Sequence, residues 1–239
     1  PADAARAEVP DPAVGRVVAK SVRGQAAVVA RLLTEQTPAR TSLTVQPRPS
    51  AIAVTGGNAQ TGPVGGALLQ PITVRVTAAD GLGVQGVAVT FAVTTGGGSL
   101  STTLGTTDSS GYASVVWTLG NAAGSQTVTA TAGTLSTSPI SATATAGVAV
   151  QLVFAVQPSN ANANTVVAPP VQVAARDGFG NAVTTYTGTI SLGFGVNPGG
   201  ASLGGTTSVA AVAGVATFST LTVSNGGNGY TLVATATGL

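Results

Sequence analysis

Few residues in this chain have side chains suited to chemistry. It has no His and no Cys, which removes Ser/His and Cys/His nucleophile pairs and the common zinc ligand sets. Seven residues are acidic, and of these only Asp80, Asp108 and Asp177 lie beyond the first fifth of the sequence. Glycoside hydrolysis needs two carboxylates facing one cleft. These three are far apart and each adjoins a turn, so each is expected to accept hydrogen bonds from its own turn's backbone. Calcium asks for several clustered oxygen ligands, and no Asp-x-Asp cluster occurs. Gly96-Gly97-Gly98 and Gly226-Gly227-Asn228-Gly229 lack the following helix and the lysine of a phosphate-binding loop, so they read as hairpin loops. Trp117, Phe91 and Phe218 fall at inward strand positions, as core residues rather than a sugar-binding platform. Tyr112 and Tyr186 are expected at the surface. The residues thus point to a non-enzymatic chain without a catalytic, cofactor or metal site.

The elements around them are β-strands. Only 7% of the 239 residues are charged, against roughly 25% in an average globular protein. Gly, Ala, Thr, Ser and Val dominate, a mixture suited to short strands and tight turns with a hydroxyl-rich surface. Low charge leaves little repulsion to oppose lateral association. The absence of Cys is neutral about compartment. No apolar stretch is long enough to span a bilayer. The chain opens at Pro1-Ala2-Asp3 with neither Met nor an apolar leader, as expected of a mature product after signal removal.

Residues 1–49 form an arm of different composition. Arg6, Arg16, Lys20, Arg23, Arg31, Arg40 and Arg48 lie there, mixed with Asp3, Glu8, Asp11 and Glu35. Mixed signs and absent aromatics argue against nucleic-acid binding. Asp11-Pro12 is a candidate helix start. The apolar run Gln25–Leu33 fits a helical turn or a buried strand equally by periodicity. Thr41–Gln46 alternates like a strand and is closed by Pro47 and Pro49. The arm is too small to fold by itself and must dock on something.

From Ser50 the pattern is that of a two-sheet sandwich. Ile72, Val74 and Val76 alternate inward, followed by Val87, Val89, Phe91 and Val93, then Ala113, Val115, Trp117 and Leu119, and finally Val128 and Ala130 with Ile140, Ala142 and Ala144. Strands recur at spacings of roughly 8–12 residues with turn signals between them. A second set begins at Gln151, with Val171–Arg176, Thr189–Leu192, Val215–Phe218 and Tyr230–Val233 as strands. Its turn Asp177-Gly178-Phe179-Gly180-Asn181 corresponds to Asp80-Gly81-Leu82-Gly83, at a period of about a hundred residues.

Three stretches carry a family resemblance: Val74–Gly81, Gly86–Phe91 and Thr107–Ala113. They resemble bacterial immunoglobulin-like domains of the invasin/intimin group. In the second set, Ala155–Ser159, Arg176–Asn181 and Gly214–Phe218 resemble related repeats of large bacterial surface proteins. The resemblance covers roughly Ser50 to Leu239 and implies two tandem immunoglobulin-like β-sandwiches, residues 50–148 and 149–239, in an all-β chain with a non-globular arm over residues 1–49. It says little about function, because such domains serve as spacers, stalks and fibre subunits.

One departure shapes the functional expectation. Thr231–Leu239 is a near copy of Thr127–Leu135, but Leu135 is followed by another strand pattern, Ser136–Ala146, and Leu239 is not. The second sandwich is therefore expected to lack its last strand. Either the chain is a fragment of a longer repeat protein, or a neighbour supplies the strand by donor-strand complementation. The acceptor groove would be Tyr230, Leu232, Ala234 and Ala236. The donor candidates are Ala26, Val28, Ala30 and Leu32, or Leu43 and Val45. Head-to-tail donation does not close on itself and gives a homopolymer. The leading expectation is an extracellular structural subunit of a bacterial surface fibre or pilus-like filament, with a host or matrix surface as a candidate ligand. The alternative is a stalk or spacer of a longer invasin/intimin-like adhesin. A third class, an accessory module of a polysaccharide-degrading enzyme, has no binding platform in the sequence to support it.

Overall fold

Period-two alternation of Val, Ile, Thr and Ala builds β-strands wherever the structure, a computed structural model, describes the chain: residues 24–30, 39–45 and 47–239. Among these residues there is no helix, and so none long and apolar enough to cross a membrane. The fold is all-β.

In the arm, β1 (Gly24–Ala30) and β2 (Ala39–Val45) form an antiparallel hairpin, with Ala26 opposite Leu43 and Gly24 opposite Val45. The ambiguous apolar run is thus a strand in its first part, and both groups of donor candidates pair with each other. Leu32 and the candidate helix start at Asp11-Pro12 lie outside the described residues.

The first sandwich contains β3 (Ala51–Gly56), β4 (Gln60–Pro63), β5 (Ile72–Thr77), β6 (Ala88–Thr95), β7 (Gly98–Leu100), β8 (Leu104–Thr106), β9 (Tyr112–Val115), β10 (Trp117–Leu119), β11 (Gly124–Ala132), β12 (Leu135–Ser136) and β13 (Ile140–Thr145). One sheet has the order β3-β5-β9, and β7 pairs with β10. The facing sheet has the order β4-β13-β11-β6-β8, with β12 on β11. Between them lies a core in which Ile72, Val74, Val76, Val89, Trp117, Val128 and Ile140 are fully buried. The inward rows expected from alternation are the observed ones, and Trp117 is the largest side chain in the core.

A second core repeats the plan with β14 (Gln151–Val156), β15 (Val171–Arg176), β16 (Thr189–Phe194), β17 (Leu203–Gly204), β18 (Ser208–Ala210), β19 (Val215–Phe218), β20 (Thr222–Val223) and β21 (Leu232–Ala236). Its sheets are β14-β15-β19, β18-β16-β21 and β17-β20. Val171, Val173, Ile190, Ala216, Phe218 and Leu221 are its fully buried centre. Tyr186, expected at the surface, is half-buried against this core.

A glycine ends the turn that leads into β9 and the one that leads into β19. Gly111 and Gly214 have φ of +84° and +79°, and a Cβ on either would strike a backbone carbonyl, that of Val76 or Val183. Only glycine fits there.

Candidate functional site

Two places stand out, a polar joint between the cores and a slot in the second sheet. The joint is built on the turn after β15. Asp177 Oδ1 accepts the Phe179 and Asn181 backbone N–H groups, each at 2.9 Å, as the sequence leads one to expect of a turn aspartate. Asp80 and Asp108 do the same in their own turns, accepting from Leu82 at 3.0 Å and from Ser110 and Tyr112 at 2.8 and 2.9 Å. Asp177 goes further. Its Oδ2 accepts the Gly147 N–H at 2.9 Å and the Asn181 side-chain amide at 2.9 Å.

Asn181 extends the network to the loop after β10. Its Nδ2 donates to the Asn121 carbonyl at 2.8 Å, and its Oδ1 accepts the Ala123 N–H at 2.9 Å. That loop is shaped from inside the first core by Gln126, which is fully buried. Gln126 Oε1 accepts from Gly120 N–H at 2.8 Å, and Nε2 donates to the Ala122 carbonyl at 2.9 Å. The loop 120–123 is thus held from one side by Gln126 of the first core and from the other by Asn181, which bonds a carboxylate that is only 1% exposed.

Burial alone would raise the Asp177 pKa. The donors from the Asn181 side chain and from the Gly147, Asn181 and Phe179 backbone outweigh it and hold the carboxyl at about 2, below its ordinary 3.8. A depressed folded-state pKa stabilises the fold above the ordinary value, and that stabilisation is lost as pH falls toward about 2.

The turns correspond as expected, but not aspartate for aspartate. Thr77 bridges Gly83 and Arg176 bridges Ala182. The N–H of Ala78 bonds the Leu82 carbonyl just as that of Asp177 bonds the Asn181 carbonyl. In the first sandwich, the positions of Asp177 and Asn181 are thus held by Ala78 and Leu82. The joint is a property of one turn only.

The slot lies on the outer edge of β21. In the first sandwich β11 is flanked by β6 and β13, and β13 by β4. In the second, β21 pairs with β16, and among the described residues no strand lies on its other edge. Equivalent registers place Ala234 opposite Leu192 as Ala130 lies opposite Phe91. Leu232, Ala234 and Ala236 therefore match Val128, Ala130 and Ala132. The latter three are buried, whereas the former are half-buried.

Across the gap, Ser159–Asn162 takes the place of β4. The Thr165 N–H bonds the Asn162 carbonyl as that of Gly66 bonds the Pro63 carbonyl. Asn164 and Gly65 share a positive φ, +60° and +69°. Between Ser159–Asn162 and β21, where the first sandwich holds β13, lies a cavity of about 350 Å³ lined by Ser159, Asn162, Val167, Leu221, Tyr230 and Leu232. Tyr230 leans on Phe194 with ring centroids 5.5 Å apart, and its hydroxyl donates to the Asn225 carbonyl at 3.1 Å. The acceptor residues named from sequence line one edge, with Tyr230 and Leu232 at the cavity itself. Among the described residues, no group of three or more acidic side chains is arranged to hold a metal.

No family model and no curated protein matches this chain. Solved structures similar to it include FdeC, described as a broadly conserved Escherichia coli adhesin. That structure is 18% identical, with 92% of this chain and 71% of that chain covered at a TM-score of 0.44. Invasin, described as a bacterial integrin-binding protein, is 15% identical over 94% of this chain and 45% of that chain, at a TM-score of 0.47. The D0–D1 domain of intimin is 16% identical over 80% of this chain and 92% of that one, at 0.32. These belong to the group that the sequence motifs resemble. At such identities the likeness is one of fold, and the sandwich assignment rests on the strand order described above.

Proposed function

We propose that this chain is a non-enzymatic structural segment of a bacterial cell-surface protein, a stalk or spacer of the adhesin type that acts outside the cell. The observation that carries this reading is the joint. A spacer must transmit position from one module to the next, and a buried carboxylate bonded to both units restricts how they turn against each other. Nothing in the three turn aspartates offers a cleft for catalysis. A host or matrix surface is the ligand class that such a segment would hold at a distance.

Small-angle scattering tests this. The paired change Asp177→Ala with Asn181→Ala is expected to broaden the interparticle-free profile and lengthen the maximum dimension. Asn181→Ala alone should weaken the joint by about 1–3 kcal/mol, the cost of leaving its partners unpaired. The unchanged chain should loosen in the same way between about pH 4 and pH 2, as Asp177 is protonated. Identical profiles for all of these would remove the joint as a mechanical element.

A second reading, a homopolymeric fibre joined by donated strands, is favoured by the slot beside β21. A groove with unpaired backbone and half-buried apolar residues recruits a strand. Electron microscopy of the purified chain is expected to show filaments that disappear when residues 1–46 are deleted. Persistence of the same filaments after deletion would count against donation by the arm.

A further inference from the structure

The slot also carries information about which strand it takes. In the first sandwich β13 runs antiparallel to β11 and parallel to β4, with Ile140 opposite Val128, Ala142 opposite Gln126 and Ala144 opposite Gly124. All three inward residues of β13 are buried. Transferred to the second sandwich, those partners are Leu232, Tyr230 and Asn228. The occupant must therefore place a branched aliphatic residue opposite Leu232 and a small one opposite Tyr230, whose ring is larger than the Gln126 side chain it replaces.

The sequence offers both strands of the arm as donor candidates, and the slot separates them. With Leu43 opposite Leu232, β2 would set the branched Val45 against Tyr230, where the first sandwich has the small Ala142 opposite Gln126. β2 is also followed within a few residues by β3, which ties it to its own first sandwich. With Val28 opposite Leu232, β1 sets Ala30 against Tyr230, reproducing the large-then-small order of Ile140 and Ala142. Residues 31–50 separate β1 from β3, which leaves chain to reach a neighbour. Among the described residues β1 pairs only with β2, and a two-stranded hairpin is marginal by itself, so entry into the slot requires β1 to exchange that partner for the two edges of the slot.

We propose that the slot between Ser159–Asn162 and β21 receives β1 of a second copy of this chain, antiparallel to β21, with Val28 opposite Leu232 and Ala30 opposite Tyr230. This rests on the fibre reading and names its donor. The occupied sheet then has the order of the first sandwich, with β1 of the neighbour in the place of β13.

The chain has no Cys, so directed disulfides report the pairing without background. A disulfide needs Cα atoms roughly 4.4–6.8 Å apart, a span met only by closely opposed residues. Chains carrying Ala30→Cys are mixed with chains carrying Tyr230→Cys and oxidised. Val28→Cys with Leu232→Cys is a second pair that leaves the Tyr230 contacts intact. Both mixtures are expected to give linked dimers, at about tenfold the yield of Val45→Cys with Tyr230→Cys, whose geometry cannot bridge in this register. Linkage through Val45 instead would overturn the choice of β1 and leave the fibre reading standing. Filaments without linkage in either pair would also reject β1. Monomers throughout, with no linkage, would reject both.

Discussion

A copy of Ser136–Ala146 appended after Leu239 is expected to raise the unfolding temperature of the second sandwich by about 10–20 °C. The first sandwich shows what such a strand contributes. β13 pairs with β11 from Ile140 to Ala144 and buries Ile140, Ala142 and Ala144 to within 2% of full burial. The ladder hydrogen bonds and the covering of the half-buried β21 positions both favour the folded second sandwich. A net gain of about 2–3 kcal/mol corresponds to that rise in a unit of about a hundred residues. The appended strand would also occupy the slot, so self-association through it should cease. Both effects are read from one sample, by calorimetry and by electron microscopy.

Phe218→Ala is expected to remove the folding transition of the second sandwich while that of the first, anchored by Trp117, remains. Phe218 is fully buried and lies opposite Val171 at the centre of the core. Truncating a buried phenylalanine costs about 3–5 kcal/mol. Domains of this size are stable by only about 5–15 kcal/mol, and this one has its β21 positions half-exposed. The same substitution in the chain carrying the appended strand should be tolerated, with a lowered but visible second transition. Calorimetry that finds both transitions unshifted by Phe218→Ala would place the second core elsewhere.

Much of this architecture was legible in the sequence because its signals are local. Alternation at Ile72, Val74 and Val76 and at Val89 and Phe91 marked inward faces, and those residues are buried. The near copy at Thr231–Leu239 located the strand equivalent to β11, and the registers agree with it. The apolar run Gln25–Leu33 was ambiguous because Ala27-Val28-Val29-Ala30 does not alternate, and its partner β2 lies across an intervening segment.

The joint was not legible. Asp177 and Asn181 read as turn chemistry, which they also perform, but their contacts with Gly147, Asn121 and Ala123 depend on how two units meet. Gln126 gave no sign either. A buried glutamine in a Thr- and Ala-rich strand is explained only by the loop it shapes, and no period in the sequence marks it. The cavity beside Tyr230 had a partial signal, the near copy of Thr127–Leu135 at Thr231–Leu239, which marks the strand on its edge. Which strand of the arm would fit it depended on register, which sequence alone does not supply.

The most direct test of the open slot is amide hydrogen exchange in β21 of the dilute chain, compared with β11 of the same molecule and with β21 of the chain carrying the appended strand. Half of the β21 amides should exchange as unprotected peptide in the unmodified chain, those of β11 should be protected along both edges, and the appended strand should protect β21 likewise. Full protection of β21 in the unmodified monomer would contradict the account.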